Sequence, residues 1–107
     1  MPNKLMKKEK AVGKTDTGEE RYLFRLFVTG ILPNSVRAVA NTKAICEEYL
    51  NDRYELEIID IYQQPALAIA EGIIAIPMLV KRFPLPEERV IGDLSNIEEV
   101  LKGLHIV

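Results

Sequence analysis

The chain has 107 residues, 48% hydrophobic and 28% charged, which suits one globular domain with a modest core and excludes wholesale disorder. Its net charge of −2, from 14 basic and 16 acidic residues, provides no global positive field for wrapping nucleic acid or lying on anionic lipid. Cys46 is the single cysteine, which excludes an internal disulfide, a C-x-x-C redox pair and a cysteine-rich zinc site.

Residues 1–20, MPNKLMKKEKAVGKTDTGEE, are polar and turn-prone, with too little apolar area to offset the entropy of ordering them. A flexible tail over 1–20 and a single domain over 21–107 are expected. The tail lacks the apolar stretch of a secretory signal. The apolar runs YLFRLFV and EGIIAIPMLV are broken by charge or proline and fall short of the ~18 residues that read as a membrane span. The expected setting is cytoplasmic, with no membrane partner.

RYLFRLFVTG places Tyr22, Phe24, Leu26 and Val28 on one face and Leu23, Phe27 and Thr29 on the other, and predicts a strand covered on both sides. LPNSVRAVANTKAICEEYLND repeats Ala38, Val39, Thr42, Ile45, Cys46, Tyr49 and Leu50 at helical spacing, with Pro33 in the first turn and Asn34 or Ser35 as cap. YELEIIDIYQQP alternates Leu56, Ile58 and Ile61 with polar neighbours and stops before Pro65, predicting a second strand. Strand, helix and strand make a right-handed parallel βαβ unit.

Beyond Pro65 the periodicity is ambiguous. The alanines of ALAIAEGIIAI favour helix, whereas Ile69, Ile73, Ile74 and Ile76 suit a buried strand. PMLVKRF and ERVIG are expected to pair as a hairpin across PLPE. Ser95 or Asn96 then caps a last helix, NIEEVLKGL, with Ile97, Val100, Leu101 and Leu104 on one stripe. This α/β order, βαβ, helix, hairpin, helix, is the thioredoxin-like one.

In that fold the active loop follows the first strand, and here it reads TGILPNS, without a cysteine, a nucleophile-base pair or a ligand cluster. Cys46 falls on the apolar face of the first helix, away from the loop, where a small core residue is expected. His105, the sole histidine, is expected to be solvated, with no carboxylate at metal-ligand spacing. Asp60 and Asp93 lack a sequence-adjacent partner for general-base work. Asp93 follows Gly92 in a turn leading to the last helix, where its charge suits the helix N-terminus. No catalytic residue, metal or cofactor is expected.

The blocks FVTGILPNSVRA, IIDIYQQPALA, IPMLVKRFPLPEERVIGDLSN and EEVLKGL, spread from Tyr22 to Leu104, resemble the KaiB family of circadian clock proteins. The resemblance implies a non-enzymatic regulator. It would dock on the ring-shaped, RecA-like ATPase KaiC and sequester the activator KaiA where one exists. The input domain of the clock-linked kinase SasA is similar to this fold. The resemblance also implies metamorphism: a tetrameric ground state and a thioredoxin-like monomer share the first βαβ unit and differ after it, with the tetramer favoured at rest. The partner-facing cations by resemblance are Arg37, Lys81 and Arg89.

The variable half carries mixed helix and strand preference and is interrupted by Gly72, Pro77, Pro84, Pro86 and Gly92, so two packings within a few kcal/mol are conceivable. Asp93 and Gly103 join these as fold-switch or structural positions. Isomerisation at the prolines, at roughly tens of seconds or more, would make exchange slow. Some positions depart from the clock members. Gln63 or Gln64 stands where a lysine is common, Leu85 interrupts a triple proline, and Gly103-Leu104-His105 replaces Gly-Leu-Asp. These departures fit a KaiB-like protein acting with a KaiC-like ATPase in stress or timing control. A different class of reading is a diverged redox or stress sensor using Cys46.

Overall fold

The computed structural model describes residues 20–106. The expected tail, apart from Glu20, lies outside them. The elements are β1 (Tyr22–Val28), α1 (Pro33–Leu50), β2 (Tyr54–Asp60), α2 (Pro65–Ala70), β3 (Met78–Phe83), β4 (Glu88–Ile91) and α3 (Ile97–Gly103).

The sheet order is β2-β1-β3-β4, with β1 and β2 parallel and the β1–β3 and β3–β4 pairs antiparallel. The βαβ unit and the hairpin therefore form as the strand patterns predict, and the chain adopts the thioredoxin-like arrangement. β1 alternates between two layers. Phe24, Leu26 and Val28 join Leu79 against Ala38, Ile45, Cys46 and Leu50 of α1 and Val100 and Leu104 of α3. Phe27 joins Ile59, Met78 and Val80 beneath Ala68 of α2 on the opposite face. Burying a large side chain such as Phe27, which is 0% exposed, is worth about 1.5–3 kcal/mol, so β1 is the spine of both cores.

Several local expectations change. The α1 N-cap is Leu32, which has no side-chain cap bond, rather than Asn34 or Ser35. Ser35 instead turns inward, and its buried hydroxyl accepts the Thr29 N–H at 2.9 Å, tying the loop to the helix. In β2 the buried isoleucine is Ile59, whereas Ile58 is exposed, because β2 is an edge strand packed under α1 only in part. Tyr49 and Ile97, expected on buried stripes, are also exposed.

The ambiguous segment divides its preferences. Pro65–Ala70 is helical, and the chain then turns at Gly72, whose φ of +69° suits glycine, before an irregular stretch leads into β3. At the other end Asn96 caps α3, its side-chain oxygen accepting the Glu99 N–H at 3.2 Å.

Candidate functional site

The loop joining β1 to α1 and the Ile76-Pro77 edge leading into β3 meet at one end of the sheet. Thr29, Leu32, Pro33, Asn34, Ser35, Ile76 and Pro77 line a shallow groove of about 270 Å³ there. The Ile76-Pro77 peptide is cis, as are Phe83-Pro84 and Leu85-Pro86. Around the groove the large apolar side chains point outward. Ile31 is 90% exposed and Ile74 is 93% exposed, with Leu32 and Val36 beside them also exposed. Bare isoleucine and leucine at this end of the fold make it the candidate contact surface. The signal was present in the sequence as ILP inside a loop that otherwise reads as polar.

The expected partner-facing cations fall into three different settings. Arg37, on the exposed side of the first turns of α1, donates from Nε to Asp93 Oδ2 at 3.0 Å. Asn41 Nδ2 donates to the Asp93 carbonyl at 2.8 Å, so two α1 side chains hold the Gly92–Ser95 turn. Arg89, on β4, donates from Nη2 to the Glu71 carbonyl at 2.7 Å and reaches the Gly72 carbonyl at 3.4 Å. Lys81 lies opposite Phe24 and Glu88 in the sheet and is 2% exposed, so in this arrangement it does not stand on the surface with the two arginines.

The other structural positions are distributed around this frame. Gly92 has φ +114° and donates its N–H to the Pro77 carbonyl at 2.9 Å, closing the loop-end edge. A Cβ at Gly103 would come within 3.1 Å of Val90 Cγ2, so this glycine lets α3 approach β4 closely. Asp93 Oδ1 accepts the Ser95 N–H at 3.1 Å. Hydrogen bonds from Ser95 and then from Arg37 hold its carboxyl below the usual range. Pro84 and Pro86 flank the exposed Leu85 in the hairpin turn.

The chemistry-bearing side chains are elsewhere. Cys46 is 1% exposed in the core beneath α1, and its thiol is pushed up to about 12, first by burial and then by Glu47. Asp60 accepts the Tyr62 N–H at 2.9 Å and so serves the turn after β2. His105, expected to be solvated and without a carboxylate, is largely exposed but stands 3.0 Å from Glu88 Oε2, because the end of α3 packs over β4. Among the described residues no group of three or more His, Cys, Asp or Glu is placed to hold a metal ion. No described helix is long and apolar enough to cross a membrane.

A thioredoxin-like domain whose loop carries no thiol, and whose loop end presents bare apolar side chains, is the class defined by this geometry. The chain belongs to the KaiB family of circadian clock proteins, whose domain profile matches residues 25–106. It is 48% identical over 87 residues to circadian clock protein KaiB3 of Synechocystis sp., covering 81% of this chain and 85% of that one. It is 45% identical over 86 residues to circadian clock oscillator protein KaiB of Synechococcus elongatus, covering 80% and 84%. Among solved structures, the N-terminal domain of Synechococcus elongatus SasA superposes with a TM-score of 0.66 at 23% identity, covering 91% of this chain and 94% of that domain. Chloroplastic thioredoxin z superposes with a TM-score of 0.64 at 21% identity, covering 80% of each chain. These likenesses bear on the fold.

Proposed function

We propose that this protein is a non-enzymatic regulator that docks, through the loop end of its thioredoxin-like arrangement, on a KaiC-like hexameric RecA-type ATPase and modulates its ATPase and phosphorylation cycle. The observation that supports this most is the replacement of thiol chemistry by an exposed apolar rim, Ile31, Leu32, Val36 and Ile74, at the end of the fold that carries Arg37. Membership of a clock-protein family supports a partner from the clock system. The setting is cytoplasmic, in circadian timing or in a stress response, and the output passes through a KaiA-like activator or a SasA-like kinase where these exist.

In this reading the isolated chain rests as a tetramer in the other arrangement of its C-terminal half. Docking selects the monomer, since a ligand shifts such an equilibrium by its differential affinity for the two states. Arg37 and Arg89 supply charge at the contact. Lys81, buried in the docking arrangement, is no part of that contact.

The test is titration into the KaiC-like ring of the same organism with ATP and with ADP, read by native mass spectrometry. Saturable loading of monomers in one nucleotide state is expected. Arg37→Glu and Arg89→Glu should each weaken loading about tenfold or more, with circular dichroism checking that loss of the Asp93 and Glu71 contacts leaves the chain folded. No loading in either state would overturn the regulator reading, and undiminished loading by both variants would overturn the assignment of the face.

A further inference from the structure

The α2 face of the sheet carries a row that crosses all four strands: Glu57 on β2, Arg25 on β1, Val80 on β3 and Arg89 on β4. Cross-strand partners share a face, so the register alone lines up these side chains under α2. Arg82 is added from β3, where the pairing with β1 shifts between Leu23 and Phe24. Glu71, the residue that ends α2, joins this row. Its Oε2 accepts from Arg25 Nη1 at 2.6 Å and from Arg82 Nη1 at 2.8 Å, and its carbonyl accepts from Arg89. Arg25 is braced in turn by Glu57 at 2.9 Å.

This arrangement is not explained by the needs of the helix. A carboxylate at a helix C-terminus opposes the helix dipole, and Glu71 occupies that end of α2. Helix α2 itself spans six residues and buries only Ala68, far too little for it to persist unaided. The Glu71 side chain is 14% exposed, so its charge is largely removed from water and interacts more strongly with the two guanidiniums than a surface pair would. Without that charge, two arginine side chains would converge on a neutral site.

We propose that Glu71 is a positioning residue of the docking face, a latch by which Arg25 and Arg82 hold the end of α2 and so keep Arg89 and Ile74 presented. This rests on the docking reading above. The carbonyls of Glu71 and Gly72 orient Arg89, and Ile74, 93% exposed, stands two residues past Gly72. When the latch opens, both lose their support while β1, β2 and α1 keep their own contacts. The latch therefore controls the part of the molecule that follows the βαβ unit.

The test measures amide exchange on the full chain held on the ATPase ring at saturation, the state that keeps this arrangement in the docking reading, in Glu71→Gln, Arg82→Met and the double variant. The Glu71, Gly72 and Ile73 amides donate to Leu67, Ile69 and Ala68 carbonyls and report directly on the end of α2. Exchange there should rise about tenfold in each single variant, with β1 and β2 amides unchanged, and the double variant should stay within about twofold of Glu71→Gln. Unchanged exchange in both single variants, or effects that multiply in the double variant, would overturn the latch. The same variants are then titrated into the ATPase ring. Weaker loading by Glu71→Gln supports the positioning role, and loading equal to that of the unaltered chain overturns it. If even Arg89→Glu loads normally while exchange follows the expected pattern, the latch stands and the Arg89 contact is what fails.

Discussion

Alkylation of Cys46 separates a docking regulator from a thiol-based sensor. The thiol is 1% exposed and raised from 9.0 to about 12 by burial and then by the neighbouring Glu47. At neutral to mildly alkaline pH the raised thiol therefore holds far less thiolate than an exposed one, and thiolate is the reactive form. Burial adds a second factor, because the reagent reaches sulfur only when the helix opens, and core openings are rare. Cys46 lies on α1 in a core that Leu79, Val100 and Leu104 of the C-terminal half complete, so its protection reports the packing of that half as well. Iodoacetamide labelling followed by mass spectrometry should therefore show an unmodified chain over hours under native conditions and complete reaction within minutes in guanidinium. Native labelling within about tenfold of the unfolded rate would refute the packing argument and revive a sensor role. The same shift fixes a pH dependence. Because the folded thiol keeps its proton above the value at which the unfolded thiol loses it, stability is intact below about 9 and falls as pH rises towards about 12. Tyr54, also raised to about 12, chiefly by its hydrogen bond with Glu47, loses its contribution between its ordinary value of 10.0 and about 12.

At the acid end the direction reverses for Asp93, whose carboxyl is held below its ordinary 3.8 by Ser95 and Arg37. Its contribution is present above that ordinary value and is lost as pH falls through the depressed one. Denaturant midpoints across this range should therefore decline less steeply for Asp93→Asn than for the unaltered chain. Asn51, the residue after α1, has φ +52° and ψ −127°, a conformation in which a side chain is strained. Asn51→Gly should raise stability by about 0.5–1 kcal/mol in guanidinium unfolding, and a loss of stability would show that the Asn51 side chain contributes more than its strain costs.

The candidate site was legible only in pieces. The missing thiols of TGILPNS and the place of Asp93 after a turn glycine are evident in the sequence, whereas Arg37 and Arg89 are singled out only by the family resemblance. None of their pairings is legible there. Arg37 meets Asp93 across 56 residues and Arg89 meets the Glu71 carbonyl across 18, distances set by how α1 and β4 return to the sheet. Lys81 shows the same gap in reverse, since alternation and charge suggest a solvent-facing lysine while the hairpin register carries it to the α1 and α3 face. The Asn34 or Ser35 cap failed for a related reason: Ser35 is better used by the Thr29 N–H, a partner from the preceding strand end.

What the sequence by itself determined is the βαβ unit, the hairpin across PLPE and the capped last helix. These follow from side-chain periodicity, turn residues and local capping, which act within a few residues of the chain. Only the tertiary structure decided the segment from Pro65 to Pro77. Helix and strand preferences nearly balance there, and the outcome rests on Ala68 entering the core beneath α2 and on distant arginines closing on Glu71. Where local preference is weak, long-range contacts choose the conformation, because they supply the larger share of a small free-energy difference.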